Sequence, residues 1–257
     1  LDGVADPTFK KDEMIATRAA SKTALNAFAK AFPNLVGGSA DLQGPNAVAL
    51  QDTQSFTAAT PQGRYIHFGI REFAMATITN GIQLHGGFRA FCATFAVFSD
   101  YLRPALRLAA LMRIPSIFVL THDSIFVGED GPTHQPVETL ASLRAIPNLL
   151  VLRPADAEET AVAWRIALEQ KDRPVCLILS RPNLPILEKA EPQWKALMKA
   201  AGSYIVKDTI GTPDVTILAT GSEVSLACAA AALASPAKVR VVSVLSKELL
   251  EGDGAAA

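Results

Sequence analysis

Residues 117–136 read IFVLTHDSIFVGEDGPTHQP, an apolar run followed at once by a polar loop that contains glycine. The run Ile117–Thr121 has the length and the apolar continuity of a strand that is buried on both faces. Comparable runs recur along the chain, and segments with apolar residues at helical spacing separate them. This alternation predicts an α/β fold: a doubly wound parallel sheet with helices on both faces.

The other strands predicted for this sheet are equally apolar; they span residues 35–37, 90–94, 149–152 and 175–179. The predicted helices lie between the strands; they span residues 12–32, 70–85, 101–112, 137–143 and 157–170. Asp12 is the predicted N-terminal cap of the first helix. Gly86 and Gly87 follow the second helix, where glycine commonly stands. Residues 38–63 are predicted to form a turn-rich loop.

A second, smaller unit is predicted after the proline-punctuated segment 181–192, which we interpret as a linker. Strands are expected at residues 204–206, 215–219 and 239–244, with a helix at 222–233. Only 65 residues follow Pro192, whereas an independent domain usually has roughly 100 or more. We therefore expect a first domain at residues 1–187, and at 188–257 a linker with the start of a truncated, incomplete α/β unit.

Composition restricts the class of protein. The 257 residues carry 24 Lys and Arg against 25 Asp and Glu, a balance that argues against a nucleic-acid-binding surface. No uncharged run approaches the roughly 20 apolar residues of a membrane span, and no signal peptide is visible. Cys92, Cys176 and Cys228 are far apart in apolar surroundings, as expected of buried thiols in a reducing compartment. The expected location is the cytoplasm.

Ligands of open parallel sheets bind beyond the carboxyl ends of the strands, so the loop after Thr121 is the first candidate site. It contains His122 and His134, two of the four histidines, and histidine suits proton transfer near neutral pH. Their separation is not a usual zinc-ligand spacing. Polar loops also arise for purely structural reasons, so this pattern alone names no reaction.

Two further places attract attention. Glu72 lies in the first turn of a predicted helix, where it either takes part in chemistry or merely complements the positive helix end. Phe95, Phe98 and Tyr101 recur at intervals of three. Such a stripe is normally core, but beyond a strand end it can also stack on a flat heteroaromatic ring.

The order and wording of eight segments together resemble the transketolase family. The segments are IATR (15–18), GGSADL (37–42), GIREFAM (69–75), TFxxF (94–98), THDSI (121–125), GEDGPTHQP (128–136), LSRxNLP (179–185) and ATGSEVS (219–225). The resemblance covers most of the chain, and GEDGPTHQP is its most specific part.

The resemblance implies a pyrimidine-binding domain followed by the opening of the C-terminal domain. It also implies transfer of a two-carbon ketol unit from a ketose phosphate to an aldose phosphate, as in the pentose phosphate pathway, with thiamine diphosphate as cofactor. The active site would lie at the subunit interface of a homodimer. Mg²⁺ and the diphosphate would be held by a domain absent from this chain. Gly252-Asp253-Gly254 looks like part of that domain's motif only by coincidence, so no metal ligand is expected here.

The resemblance also implies roles for individual residues. Glu72 would face the aminopyrimidine as a catalytic carboxylate, and His134 would stand beside the reactive carbon, in contact with cofactor and transferred unit. The remaining cofactor-binding residues would be Phe98, stacked on the pyrimidine, with Phe95, Tyr101 and Asp41 around it. The substrate-binding residues would be Asp130 at a hydroxyl, with Arg18, His122 and Arg181 at the phosphate.

One position departs from the family pattern, and two other functions stay open. Pro45 stands where the family usually has a serine of the phosphate grip, and proline offers neither hydroxyl nor N–H. One alternative is a related thiamine diphosphate-dependent synthase with another acceptor, such as formaldehyde. The other is a non-catalytic half-site or dimerisation module, inactive without the diphosphate-binding domain, including one subunit of a split enzyme.

Overall fold

The computed structural model describes residues 1, 3–250 and 252. Its strands are β1 Met14–Ala16, β2 Leu35–Ser39, β3 Tyr65–His67, β4 Arg89–Phe95, β5 Ile117–Thr121, β6 Leu150–Leu152, β7 Val175–Leu179, β8 Asn183–Pro185, β9 Ser203–Lys207, β10 Val215–Ala219 and β11 Val239–Val244. Its helices are α1 Thr17–Ala31, α2 Glu72–His85, α3 Ser99–Leu111, α4 Thr139–Arg144, α5 Ala157–Glu169, α6 Trp194–Ala201, α7 Glu223–Leu233 and α8 Lys247–Leu250.

Six strands form one parallel sheet in the order β3-β2-β4-β5-β7-β6. Successive residues of β5 point to opposite faces, as the period of a strand requires. Ile117 and Val119 join the core under α1 and α5, whereas Phe118 and Leu120 join the core under α2, α3 and α4. The predicted fold class, a doubly wound parallel sheet covered on both faces, is confirmed.

The first helix begins later than predicted. Asp12 is not its cap, because residues 14–16 instead form β1, which pairs antiparallel with β8. α1 starts at Thr17, whose backbone N–H donates to Ser180 Oγ at 3.1 Å. The segment expected to be a plain linker therefore contains a strand, and this pairing fixes the start of α1 beside the end of β7.

The second unit is a mixed sheet in the order β10-β11-β9, with β9 antiparallel to β11. It packs on the first unit through Glu159 of α5, which accepts hydrogen bonds from Tyr204 Oη at 2.9 Å and Ser243 Oγ at 2.7 Å. Burial and the nearby Asp156 raise the pKa of Glu159 to about 7. The sequence did not predict α6, and of the Gly-Asp-Gly segment Asp253 and Gly254 lie outside the described residues.

The cysteines lie as expected of packing thiols. Cys92 on β4 and Cys176 on β7 are buried, and Cys228 on α7 is half-buried. Burial raises the pKa of the Cys92 thiol to about 12, so at neutral pH it stays protonated and unreactive.

Within residues 1, 3–250 and 252, every helix is too short or too polar to cross a lipid bilayer.

We predict that Gly38→Ala destabilises the sheet. A Cβ at Gly38 would lie 1.7 Å from the carbonyl oxygen of Ile66, so β2 and β3 would have to move apart. Overpacking of this kind costs about 3 kcal/mol of unfolding free energy. Chemical denaturation measures the loss. Gly44→Ala is the matched control, because a Cβ there meets nothing within 4 Å, and equal losses for both variants would contradict the prediction.

Candidate active site

The carboxyl ends of five parallel strands converge on one edge of the large sheet. Asp41 follows β2, Glu72 follows β3, Phe98 follows β4, His122 follows β5 and Arg181 follows β7. Because the strands are parallel, these ends face the same side. The sequence-predicted residues therefore share one edge, which is where ligands of such sheets bind.

A group of rings, which we call the ring cluster, occupies the centre of this edge; it consists of Phe95, Phe98, Tyr101, His122 and His134. Phe95 and Phe98 are stacked, with centroids 5.7 Å apart and an interplanar angle of 12°. Phe95 contacts the His122 ring at 3.8 Å, and Phe98 contacts the His134 ring at 5.3 Å, edge on. A 3₁₀ turn at Ala96–Phe98 brings Phe95 and Phe98 to the same side.

Exposure distinguishes a binding platform from ordinary core. Phe95 is buried, Phe98 is half-buried, and Tyr101 is 65% exposed although its ring lies 6.1 Å from that of Phe98. An aromatic stripe that becomes steadily more exposed leaves ring surface open to solvent. Flat heteroaromatic ligands stack on such faces, so the ring cluster has the form of a stacking platform.

His122 is buried and held in an unusual backbone conformation. Its φ is +61°, in the left-handed region that non-glycine residues rarely adopt. The Thr121 hydroxyl donates to Asn46 Oδ1 at 2.7 Å and lies 2.8 Å from His122 Nδ1. Nδ1 therefore carries the hydrogen and donates to Thr121, which leaves Nε2 as an acceptor. The sequence analysis gave no role to the side chains of Thr121 and Asn46, which no motif spacing connects.

The surroundings of His122 keep its ring neutral. Burial, followed by the positive charge of Arg18, lowers the pKa of His122 to about 4, and Arg181 and His134 act in the same direction. The negative charge of Asp130 acts in the opposite direction and raises the pKa of His122. At neutral pH the imidazole is therefore uncharged.

Arg181 forms ion pairs with two carboxylates, Glu129 and Asp130, at one side of this sheet edge. Arg181 Nη2 lies 2.8 Å from Glu129 Oε1, and its Nε lies 3.5 Å from Asp130 Oδ2. Gly128, in the same loop, has φ +86°, a backbone conformation that favours glycine. The sequence analysis did not single out Glu129.

Arg18 lies beside Arg181 because α1 starts next to the end of β7. Its Nη1 donates to the carbonyl oxygen of Pro45 at 2.5 Å. Burial and the charge of Arg181 lower the pKa of Arg18. Two neighbouring guanidinium groups form a site suited to an anion with paired oxygens. Pro45 thus contributes its carbonyl group to this site.

Glu72 and Asp41 lie at the same edge but apart from the ring cluster. Glu72, the first residue of α2, is only 9% exposed, and within the described residues its carboxylate has no hydrogen bond or ion pair. Asp41 is exposed, with φ +60°, and its charge reinforces burial in raising the pKa of Tyr65. No ring contact or hydrogen bond in the described part of the chain joins either carboxylate to the cluster.

The remaining catalytic candidate, His134, ends a 3₁₀ turn at Pro132–His134 and is half-buried. Its Nδ1 lies 2.8 Å from Thr133 Oγ1, which orients the ring. In residues 1, 3–250 and 252, no three His, Cys, Asp or Glu side chains are grouped so that they could hold a metal ion.

Comparison with known proteins places these features in a family. The family described as "Transketolase, pyrimidine binding domain" matches residues 13–186, and "Transketolase-like TK C-terminal domain" matches residues 202–256. A protein named transketolase from Treponema pallidum is 63% identical over 254 residues, which are 99% of this chain and 38% of that protein. The chain thus spans less than two fifths of that relative.

Two solved structures are similar in fold as well as in sequence. A transketolase from Pichia stipitis in complex with sedoheptulose-7-phosphate has a TM-score of 0.90 and 40% identity, covering 96% of this chain and 37% of its own. A structure described as a split gene transketolase, inactive beta4 tetramer, has a TM-score of 0.73 and 29% identity, covering 91% of this chain and 72% of its own.

We predict that His122 makes the fold less stable in acid. An unfolded histidine binds a proton below about pH 6.5, whereas folded His122 does so only near pH 4. Its contribution to the unfolding free energy is therefore lost as pH falls from about 6.5 to about 4. Denaturation curves at pH 7.5, 5.5 and 4 would show a smaller loss for His122→Asn, since asparagine tolerates the left-handed backbone. Parallel pH dependence in the two proteins would contradict this.

Proposed function

The chain belongs to the transketolase family, and from that premise we propose that the protein transfers a two-carbon ketol unit from a ketose phosphate to an aldose phosphate. The proposed cofactor is thiamine diphosphate. The observation that carries the proposal is the meeting, at one sheet edge, of stacked rings, a buried carboxylate and two arginines. The Pichia stipitis relative that contains sedoheptulose-7-phosphate supports the substrate class.

The residues present fit the pyrimidine half of the cofactor. The exposed ring surface of Phe98 and Tyr101 suits a flat heteroaromatic ring. Within the described residues, the buried carboxylate of Glu72 has no hydrogen-bond or ion-pair partner. It could therefore bind a nitrogen of the ligand. Thiamine diphosphate supplies, when bound, a nucleophilic carbon and a sink for the electron pair released on C–C cleavage.

In the proposed mechanism Glu72 holds and shares a proton at a pyrimidine nitrogen, while Phe98, Phe95 and Tyr101 orient the ring. Asp41 adds a second carboxylate near the cofactor. His134 stands next to Phe98, where it can contact the transferred unit and move a proton.

The substrate end of the proposed site consists of Arg18, Arg181, Asp130 and His122. The two guanidinium groups bind phosphate oxygens, and Asp130 accepts a hydrogen bond from a sugar hydroxyl. His122 is neutral before substrate arrives. Its Nε2 becomes a donor to a phosphate oxygen only by gaining a proton or by exchanging its hydrogen between the two ring nitrogens.

The proposed assembly is a cytoplasmic homodimer with the active site at the subunit interface. Large apolar side chains beside the site support an interface, since monomeric surfaces rarely expose so many together; they include Ile70, Phe73, Tyr101, Phe126 and Val137. Mg²⁺ and the diphosphate would be held by a diphosphate-binding domain outside this chain. We assign residues 1–187 to the pyrimidine-binding domain and 188–257 to the linker and the start of the C-terminal domain.

An acceptor assay with the full-length protein tests the proposed function. With Mg²⁺, thiamine diphosphate and a ketose phosphate donor, we expect transfer to ribose 5-phosphate. Absence of that transfer would refute the proposal, and transfer to formaldehyde in its place would identify the related synthase.

A second candidate is a half-site module that is inactive without a separate diphosphate-binding subunit. The observation that favours it is the split gene transketolase, an inactive tetramer of which this chain covers 72%. The isolated 257-residue chain should then show no turnover alone and gain turnover when a diphosphate-binding subunit is added. Turnover by the isolated chain would exclude this candidate.

We predict that Glu72→Gln in the full-length protein lowers kcat at least about 100-fold, the scale of a lost proton-transfer group. Glutamine keeps the shape of the side chain but cannot hold the proton. Steady-state turnover measures the effect, and circular dichroism checks that the fold is retained. Glu138→Gln, at an exposed carboxylate before α4, is the matched control and should keep turnover within about twofold. Near-normal turnover of Glu72→Gln would remove Glu72 from the mechanism.

A further inference from the structure

A buried arginine that the proposed mechanism does not use joins the site to the second unit. Arg153 follows β6 and is only 5% exposed. Its Nε and Nη2 donate to Asp123 Oδ2 at 3.0 and 2.8 Å. On its other side it pairs with Glu223 at the start of α7, and its Nη1 donates to the Thr220 carbonyl oxygen at 2.9 Å. We call this set of four residues the Arg153 bridge.

The second unit is shaped to receive this side chain. Gly221 has φ +60°, and a Cβ there would lie 2.7 Å from the Arg153 guanidinium, so only glycine allows the approach. Ser222 Oγ accepts a hydrogen bond from Arg153 Nη2 at 3.2 Å. The backbone N–H of Arg153 also donates to the Leu245 carbonyl oxygen at 2.9 Å. Arg153 is therefore anchored in the second unit at several atoms.

The other end of the bridge fixes the residue next to His122. Asp123 is 7% exposed, and a buried carboxylate keeps its charge only when it is paired. The left-handed backbone of His122 costs free energy and persists only where its surroundings enforce it. Asp123 holds the chain immediately after His122, while the Phe95 ring lies against the imidazole at 3.8 Å. The bridge thus supplies the restraint on the carboxyl side of the strained residue.

We propose that Arg153 is a positioning residue: through Asp123 it holds His122 in its buried position and its left-handed backbone conformation. Through Glu223 it links that position to the second unit, which thereby supports the substrate end of the site. The kinetic part of this inference rests on the proposed function, because it needs His122 to contact a sugar phosphate. The structural part does not, since the position of His122 can be observed without turnover.

The first test follows the His122 imidazole by NMR in the full-length protein, labelled at histidine ¹³Cε1 and assigned with His122→Asn. The charged and titrating groups that face His122 are Arg18 of α1, Asp130 and His134 of the loop, Arg181 after β7, and the adjoining Asp123. In Arg153→Gln the first four of these groups are unchanged, and Asp123 loses the ion pair that holds it. We expect that variant to expose the ring and raise the pKa of His122 by at least about one unit from the value near 4 towards that of a solvated histidine.

The second test separates KM from kcat. Arg153→Gln should raise KM for the ketose phosphate about tenfold and change kcat less than about threefold, because the proton-transfer group Glu72 is untouched. Arg153→Lys keeps a positive charge beside Asp123 but loses the guanidinium hydrogen bonds to Thr220 and Glu223. Its KM should therefore rise less than that of Arg153→Gln. Glu223→Gln, at a side chain that is 41% exposed, weakens only the second-unit end and should shift the pKa of His122 and KM in the same direction by less.

The matched control is Arg165→Gln. Arg165 forms an ion pair of similar length, 2.7 Å, with Asp6, far from the His122 loop in sequence and on α5. It should lower thermal stability but leave the titration of His122 and KM unchanged. If Arg153→Gln does not fold, Arg153→Lys and Glu223→Gln decide the question by the same two readouts.

The outcomes are distinct. An unchanged His122 titration in all folded bridge variants would overturn the positioning role. The same titration shift in Arg165→Gln would also overturn it, because the effect would then be general loosening. A shift confined to the bridge variants in a protein that transfers no ketol unit would uphold the positioning role and refute the proposed function.

Discussion

Parallel pairing in register of β4, β5 and β7 is the constraint on which the rest of the structure depends. Phe95 pairs with Thr121, and Thr121 pairs with Leu179, so the three strands end side by side. Phe98, His122 and Arg181 follow within three residues of those ends, Tyr101 lies in the first turn of α3, and His134 lies in the loop after β5. A slip of one residue in either pairing would turn each side chain to the opposite face and separate the rings from the arginines. The apolar burial on both faces that fixes this register is therefore also what assembles the site.

The sequence predicted the parts of the fold that depend on local pattern. Ile117–Thr121 and Val175–Leu179 occur with the predicted bounds because an apolar strand buried on both faces leaves a continuous run of residues. The cap at Asp12 was wrong because β1 is formed by a partner, β8, about 170 residues further along the chain, and no local spacing indicates such a pairing. β3 has only three residues and follows directly after the predicted turn-rich loop, and three residues are too few for a period of two to be recognised.

The same distinction between local pattern and tertiary structure applies to the candidate site. The position of His122 after an apolar strand selected it, and the resemblance to the family selected Asp130 and Arg181; the three residues do lie together. Whether Phe95 and Phe98 are core or platform could not be decided from their spacing, because exposure depends on what the tertiary structure leaves uncovered. Arg153 was missed for a related reason: it lies 30 residues from Asp123 and 70 from Glu223, and only the packing of the two units makes them neighbours. The roles of Glu72 and Asp41, which no contact joins to the ring cluster in the described residues, stay predictions.

The junction between the two units, at Glu159, affects the number of protons that the protein binds on folding. The pKa of Glu159 rises from 4.5 to about 7 on folding, whereas that of His122 falls from 6.5 to about 4. Over nearly the same pH range, folding therefore takes up a proton at Glu159 and releases one at His122. The two groups therefore act in opposite directions on the unfolding free energy, and at different places in the molecule: acid weakens the sheet edge around His122, and alkali weakens the junction between the two units.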